Sequence, residues 1–184
     1  MSLLPTTTDY NLVLTGSIGP HQLIVARHVA TRLNLPFVDA EQEIERRAEM
    51  PPAEFKDRFG EARLRTLESE VIRDLTLHRS TLIHVNGQML AYGDHLARIR
   101  DCSYILCLIA SLDAVLARLH VALGARYHNP TERAFALGML KRAWSIRGQE
   151  GVHEFDTTYM TEADMVDHIA DLWAQRVIEL TRLG

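Results

Sequence analysis

A chain of 184 residues that is 47% hydrophobic carries enough apolar side chain for one sizeable core, and its length fits a single domain over residues 1–184. A net charge of −4 argues against a general nucleic-acid binder, and no apolar run reaches the ~18 residues that crossing a bilayer requires. The stretch 1–9 lacks the basic region and long apolar run of a signal peptide, so the expected location is the cytoplasm.

The first apolar run, at 12–14, reads as a strand. It leads through Thr15-Gly16-Ser17-Ile18-Gly19-Pro20-His21-Gln22 into Leu23, Ala26, Ala30 and Leu33, which recur at helical spacing. A second strand at 36–38 runs up to Asp39. Pro51-Pro52 closes one helix and is placed to open the next at its first turn. Leu64, Leu67, Val71 and Leu75 mark a further helix, and the run at 81–85 a third strand. The run at 104–109 reads as a fourth strand. Cys102 and Cys107, five apart on what reads as one strand and so pointing to opposite faces, fit neither a redox pair nor a zinc site and read as small buried hydrophobes. Residues 121–133, with Gly124, Asn129 and Pro130 among polar neighbours, are expected to form one long mobile excursion. A weaker run at 152–155 is a fifth strand. Thr161 with Asp164 forms a capping pair for a last helix reaching about residue 183. Trp144 and Trp173 sit in helical patterns and read as core or rim packing. Strands that alternate with helices, without hairpin turns, imply an α/β fold with a parallel sheet covered on both faces.

The loop after the first strand has the outline of a phosphate-binding P-loop, G-x-x-x-x-G-K-[ST]. Gly16 takes the first glycine position. His21 falls at the second glycine, Gln22 at the lysine and Leu23 at the Mg²⁺-binding hydroxyl. A P-loop works because consecutive backbone N–H groups and a helix N-terminus converge on phosphate. Pro20 withdraws one N–H, His21 adds bulk, Gln22 carries no charge and Leu23 offers no oxygen. The chain's two lysines, Lys56 and Lys141, lie far from the loop in sequence. Taken alone, Gly16-Ser17-Ile18-Gly19 also suits a plain tight strand-to-helix turn.

Further segments, in order over about residues 10–175, resemble the shikimate kinases, a family of small P-loop kinases. Residues 27–47, with Leu35-Pro36-Phe37-Val38-Asp39-Ala40-Glu41 followed by Glu43-Ile44-Glu45-Arg46-Arg47, are similar to the family's P-F-x-D-x-D and x-E-I-E-x-R segments. Phe59-Gly60-Glu61-Ala62-Arg63-Leu64-Arg65-Thr66-Leu67-Glu68 resembles F-G-E-x-x-F-R-x-x-E. Asn86-Gly87-Gln88 stands where the family has three glycines, Arg126 where its lid arginine falls, and Lys141-Arg142-Ala143 at the start of K/R-R-x-P-x-Y.

The resemblance implies a three-layer α/β/α P-loop kinase-like fold with a five-stranded parallel sheet in the order 2-3-1-4-5, and a lid at about 121–133. By resemblance, Asp39 assists Mg²⁺ through water, and Glu41 holds and orients the acceptor hydroxyls; it is one methylene longer than the family's aspartate. Arg65 and Arg142 match the pair that clamps the shikimate carboxylate, a task suited to the planar guanidinium fork. Gly87 matches the glycine whose N–H faces the acceptor. Gly16, Gly19, His21, Gln22 and Arg126 match the nucleotide-binding positions. Each residue also has a plainer reading: Asp39 as a helix cap, Arg65 as a partner of Glu61 and Glu68, Arg142 as an exposed helix charge.

Positions matching the acceptor site are thus largely kept, and those matching the donor-phosphate site are replaced. Phosphoryl transfer is mostly positioning plus electrostatic stabilisation, and losing one transition-state donor costs ~3 kcal/mol. The leading expectation is a shikimate-kinase-like protein that keeps a site for a small polyhydroxy carboxylate, with ATP-dependent transfer lost or strongly weakened and no assured cofactor. One rival is an active kinase using ATP and Mg²⁺ through a non-standard site, with His21, Arg27 or Arg126 supplying the positive charge. Another is a non-catalytic protein-interaction module. No nucleic-acid or membrane partner is expected.

Overall fold

In a computed structural model, which describes residues 9–19 and 21–183, the strands are β1 (Asn11–Gly16), β2 (Phe37–Asp39), β3 (Leu82–His84), β4 (Ser103–Ile109) and β5 (Val152–Asp156). They form one parallel sheet in the order β2-β3-β1-β4-β5, as the resemblance implied. The helices are α1 (Gln22–Leu33), α2 (Ala40–Ala48), α3 (Pro52–Phe59), α4 (Glu61–Leu75), α5 (Gly87–Leu90), α6 (His95–Arg100), α7 (Leu112–Leu123), α8 (Pro130–Ala143) and α9 (Glu162–Leu183).

Strand alternation builds the three layers. Leu12, Leu14, Leu82, Leu106 and Leu108 face one way and pack on α1 and α9, where Trp173 is buried. Val13, Ile83, Ile105 and Cys107 face the other way and pack on α2, α4, α5 and α6. Because both faces are covered, the central strands read as unbroken apolar runs. A smaller cluster of Val115, Leu119 and Leu140 joins α7 to α8, with Trp144 packed against it.

The sequence punctuation has clear physical roles. Pro52 opens α3. Thr161 and Asp164 cap the last helix reciprocally: the Asp164 carboxylate accepts from Thr161 N–H (3.0 Å), and the Thr161 hydroxyl accepts from Asp164 N–H (3.2 Å). Residues 121–133 carry regular structure: α7 runs to Leu123 and is closed by Gly124, which has φ +55°, a 3₁₀ turn spans Gly124–His128, and Pro130 opens α8. The Asn129 side chain caps that helix by accepting from Thr131 and Glu132 N–H. Gly124, Asn129 and Pro130 therefore mark the ends of two helices. Cys102 precedes β4 and is only half-buried, whereas Cys107 is fully buried, which pushes its thiol up to about 11.

Candidate functional site

The carboxyl ends of β1, β2 and β3 converge on the loop that follows β1. Gly16 closes that strand with φ +83°, and a methyl there would run into the Leu108 carbonyl and Cys107. Glycine is thus required by the close passage of β4. Pro20 lies outside the described residues. Gln22, buried at 7% exposure, starts α1 and turns its amide back into the loop. Its Oε1 accepts from Ile18 N–H (3.1 Å), which leaves Nε2 to donate to His84 Nε2 (3.3 Å). An amide NH₂ can only donate, so the His84 proton sits on Nδ1 and donates to Asp39 Oδ1 (3.0 Å). The sheet register fixes this last contact, because Asp39 and His84 are directly paired across β2 and β3. Asp39 precedes α2 but makes no side-chain capping bond; its carboxylate turns to the imidazole instead. Trp144 Nε1 donates to Ser17 O (3.0 Å) and Leu108 O (3.2 Å), tying the end of α8 to the same loop.

Two adjoining cavities open here. The first, about 420 Å³, includes Gly16, Gly19, Gln22 and Leu23 of the loop region, with Asp39, Glu41 and His84 as its titratable groups. Leu119, Ala136, Met139 and Leu140 supply apolar wall, and among the described residues neither lysine nor arginine lines it. The second, about 490 Å³, holds Lys56, Arg65 and Arg142 together with Glu61 and Glu68. Glu41, Asn86 and Met139 line both cavities. Glu41 keeps solvent access at this shared wall, but the enclosing walls, and then the neighbouring charge of Asp39, raise its pKa above 4.5.

The arginines of the second cavity differ in kind. Arg65 is mostly buried and already bonded, through Nη1 to Glu68 (2.8 Å) and Nη2 to Glu61 (3.2 Å), with its guanidinium 4.8 Å from the Tyr92 ring. Arg65 thus both lines the second cavity and pairs with Glu61 and Glu68 along its helix. Arg142 is exposed, touches Met139 Sδ (3.0 Å) and makes no ion pair among the described residues.

Three anticipated site residues stand elsewhere. The His21 imidazole pairs with Glu162 (2.7 Å) and lines a third cavity with Ile18, Arg118 and Met160, so it does not crowd the first. Arg126 is exposed beside Glu132 on the 3₁₀ turn and reaches none of these cavities. Gly87 is buried where α5 meets the end of α8: a methyl would run into the Ala143 carbonyl, and its own carbonyl accepts from Ser145 (3.4 Å). Arg27, considered as a source of charge, bonds Gln42 and lies over Phe37. Sequence reading missed His84, Lys56 and Arg118. Arg118 donates to Ile18 O (3.3 Å) and to Thr157, and burial lowers its pKa.

A family model described as Shikimate kinase matches residues 24–172. The shikimate kinase of Thermodesulfovibrio yellowstonii is 31% identical over 126 residues, which span 67% of this chain and 73% of that protein. That of Bartonella henselae is 31% identical over 117 residues, spanning 64% of this chain and 56% of the relative. Among solved structures, shikimate kinase from Bacteroides thetaiotaomicron superposes with a TM-score of 0.70 at 21% identity, covering 94% of this chain and 98% of that one. Shikimate kinase from Acinetobacter baumannii, solved in complex with shikimate, gives 0.67 at 22% identity over 96% and 97%. A gluconokinase from Sinorhizobium meliloti gives 0.65 at 13% identity over 96% and 98%. These structures share the fold.

Proposed function

The chain belongs to the shikimate kinase family, and on that premise we propose that it keeps the acceptor half of a kinase site while its donor half is lost or strongly weakened. The 490 Å³ cavity holds shikimate or a similar small polyhydroxy carboxylate, with Arg142 and the free part of Arg65 on the carboxylate and Glu41 orienting the hydroxyls. The carrying observation is the first cavity: Gln22 commits its amide to Ile18 N–H and His84, and among the described residues no lysine or arginine lines it. The loop is in this reading a degenerate P-loop.

Nor do the residues fit Mg²⁺. Leu23 has no oxygen to offer, the Asp39 carboxylate is held by His84, and among the described residues no group of three His, Cys, Asp or Glu converges to hold a metal. Calorimetry with shikimate and with ATP·Mg, each alone, tests the reading. Shikimate should bind at millimolar concentration or below, and Arg142→Ala should weaken it by ~1 kcal/mol, as for an exposed ion pair. Absence of shikimate binding by the wild type refutes the acceptor site.

A second reading, an active kinase with a non-standard nucleotide site, draws on one feature. Arg118 is a partly buried guanidinium fixed against the loop at Ile18, with no carboxylate bonded to it among the described residues. Micromolar ATP·Mg binding that is lost in Arg118→Ala would move this reading to first place.

A further inference from the structure

We infer that the true ligand is a carboxylic acid with an uncharged, largely apolar arm, and that this arm occupies the first cavity in place of a nucleotide phosphate. This deepens the proposed function and rests on its acceptor site. Three observations carry it. First, the two cavities meet at Glu41, Asn86 and Met139, so a ligand whose carboxylate lies on Arg142 and the free part of Arg65 presents its far end to the first cavity. Second, the cations lie on one side only: Lys56, Arg65 and Arg142 stand beside Glu41, Glu61 and Glu68 in the second cavity, whereas the first, among the described residues, holds Asp39 and Glu41 without a lysine or arginine. An anionic arm would face both carboxylates with no compensating charge.

Third, much of the polar wall of the first cavity is already bonded. Ile18 N–H, the Gln22 amide, the His84 ring and the Asp39 carboxylate bond one another in series, so they ask little of a ligand. Most of the remaining wall is apolar: Leu23, Leu119, Ala136, Met139 and Leu140. A 420 Å³ space of this make-up suits an aryl or alkyl substituent, with Glu41 left to meet an ester or hydroxyl oxygen at its mouth.

The test compares three probes on the wild-type protein by calorimetry: shikimate, a benzoate ester of shikimate, and a phosphate monoester of shikimate. The expected order is the benzoate ester at least about tenfold tighter than shikimate, through burial of the ring, and the phosphate ester weaker than shikimate. In Ala136→Phe, which fills the first cavity, the advantage of the benzoate ester should shrink towards none. Shikimate binding with equal or weaker binding of the benzoate ester overturns the inference and leaves the acceptor site standing. A phosphate ester tighter than shikimate also overturns it, because the cavity would then accept an anion. If none of the three binds, the acceptor-site reading falls, and this inference with it.

Discussion

Replacing Gln22 by methionine keeps the length and volume of the side chain and removes both ends of its amide. The first loss is an acceptor. Ile18 N–H, whose residue is 2% exposed, bonds Gln22 Oε1 at 3.1 Å, and an orphaned buried donor costs ~1–3 kcal/mol. The second is the donor to His84 Nε2 at 3.3 Å, a net contribution of ~1 kcal/mol. Together the change should destabilise the fold by about 2–4 kcal/mol, equivalent to about 4–16 °C in melting temperature for a domain of this size. Urea unfolding measures it as a shift in midpoint at constant slope. The series reading adds a sharper condition. In a His84→Ala background the second loss is already taken, so Gln22→Met should cost ~1 kcal/mol less there than in the wild type. A loss below ~0.5 kcal/mol in the wild type, or full additivity with His84→Ala, would show that the amide is not part of a connected chain.

Glu41→Gln should stabilise the protein at neutral pH. Burial and Asp39 raise the Glu41 pKa, so the folded state holds its proton more tightly than the unfolded chain does, and stability falls as pH rises from the ordinary carboxylate value of 4.5 through the folded value. The gain in melting temperature over wild type should be present at pH 8 and vanish below pH ~4; a gain that grows on acidification contradicts the sign. Gly87→Ala should cost ~1–3 kcal/mol, because the new methyl meets the Ala143 carbonyl and forces α5 from α8; chemical denaturation checks this, and a neutral effect would mean that the helices part freely.

The sheet was legible because its strands carry alternating sets such as Leu12 and Leu14 against Val13, which strand geometry sends to opposite faces. The strand order came from resemblance, since periodicity fixes elements and leaves their neighbours open. Asp39, Glu41, Arg65 and Arg142 lie on short stretches with strong local patterns, and they line the two adjoining cavities. What local pattern could not supply was distance in the chain. Gln22 and His84 are 62 residues apart, and Trp144 and Ser17 are 127 apart, so neither contact leaves a trace in spacing. His84 lies within an apolar strand, and its meaning depends on the β2–β3 register that sets it beside Asp39. His21 was read by its position in a motif, yet a side chain at a helix start takes the nearest complementary charge, here Glu162 from the far end of the sequence.

That geometry sharpens what repair of the loop requires. The wild-type protein should bind ATP·Mg more weakly than ~1 mM, about −4 kcal/mol. Gln22→Lys alone frees Ile18 N–H and adds a charge, but the new ammonium arrives beside Asp39 and Glu41, carboxylates that compete with any phosphate for it. Leu23 still offers no oxygen, and Pro20 still lacks an N–H. The single change should therefore gain less than about tenfold, or ~1.4 kcal/mol. Joint replacement of Pro20, His21, Gln22 and Leu23 by Ala, Gly, Lys and Ser restores amide, space, charge and hydroxyl to one ligand, and such shared groups act together rather than additively. Calorimetry on the three proteins decides the matter. A micromolar dissociation constant for the wild type, or for Gln22→Lys alone, would mean that the first cavity finds its positive charge elsewhere, and the donor half of the site would have to be counted as working.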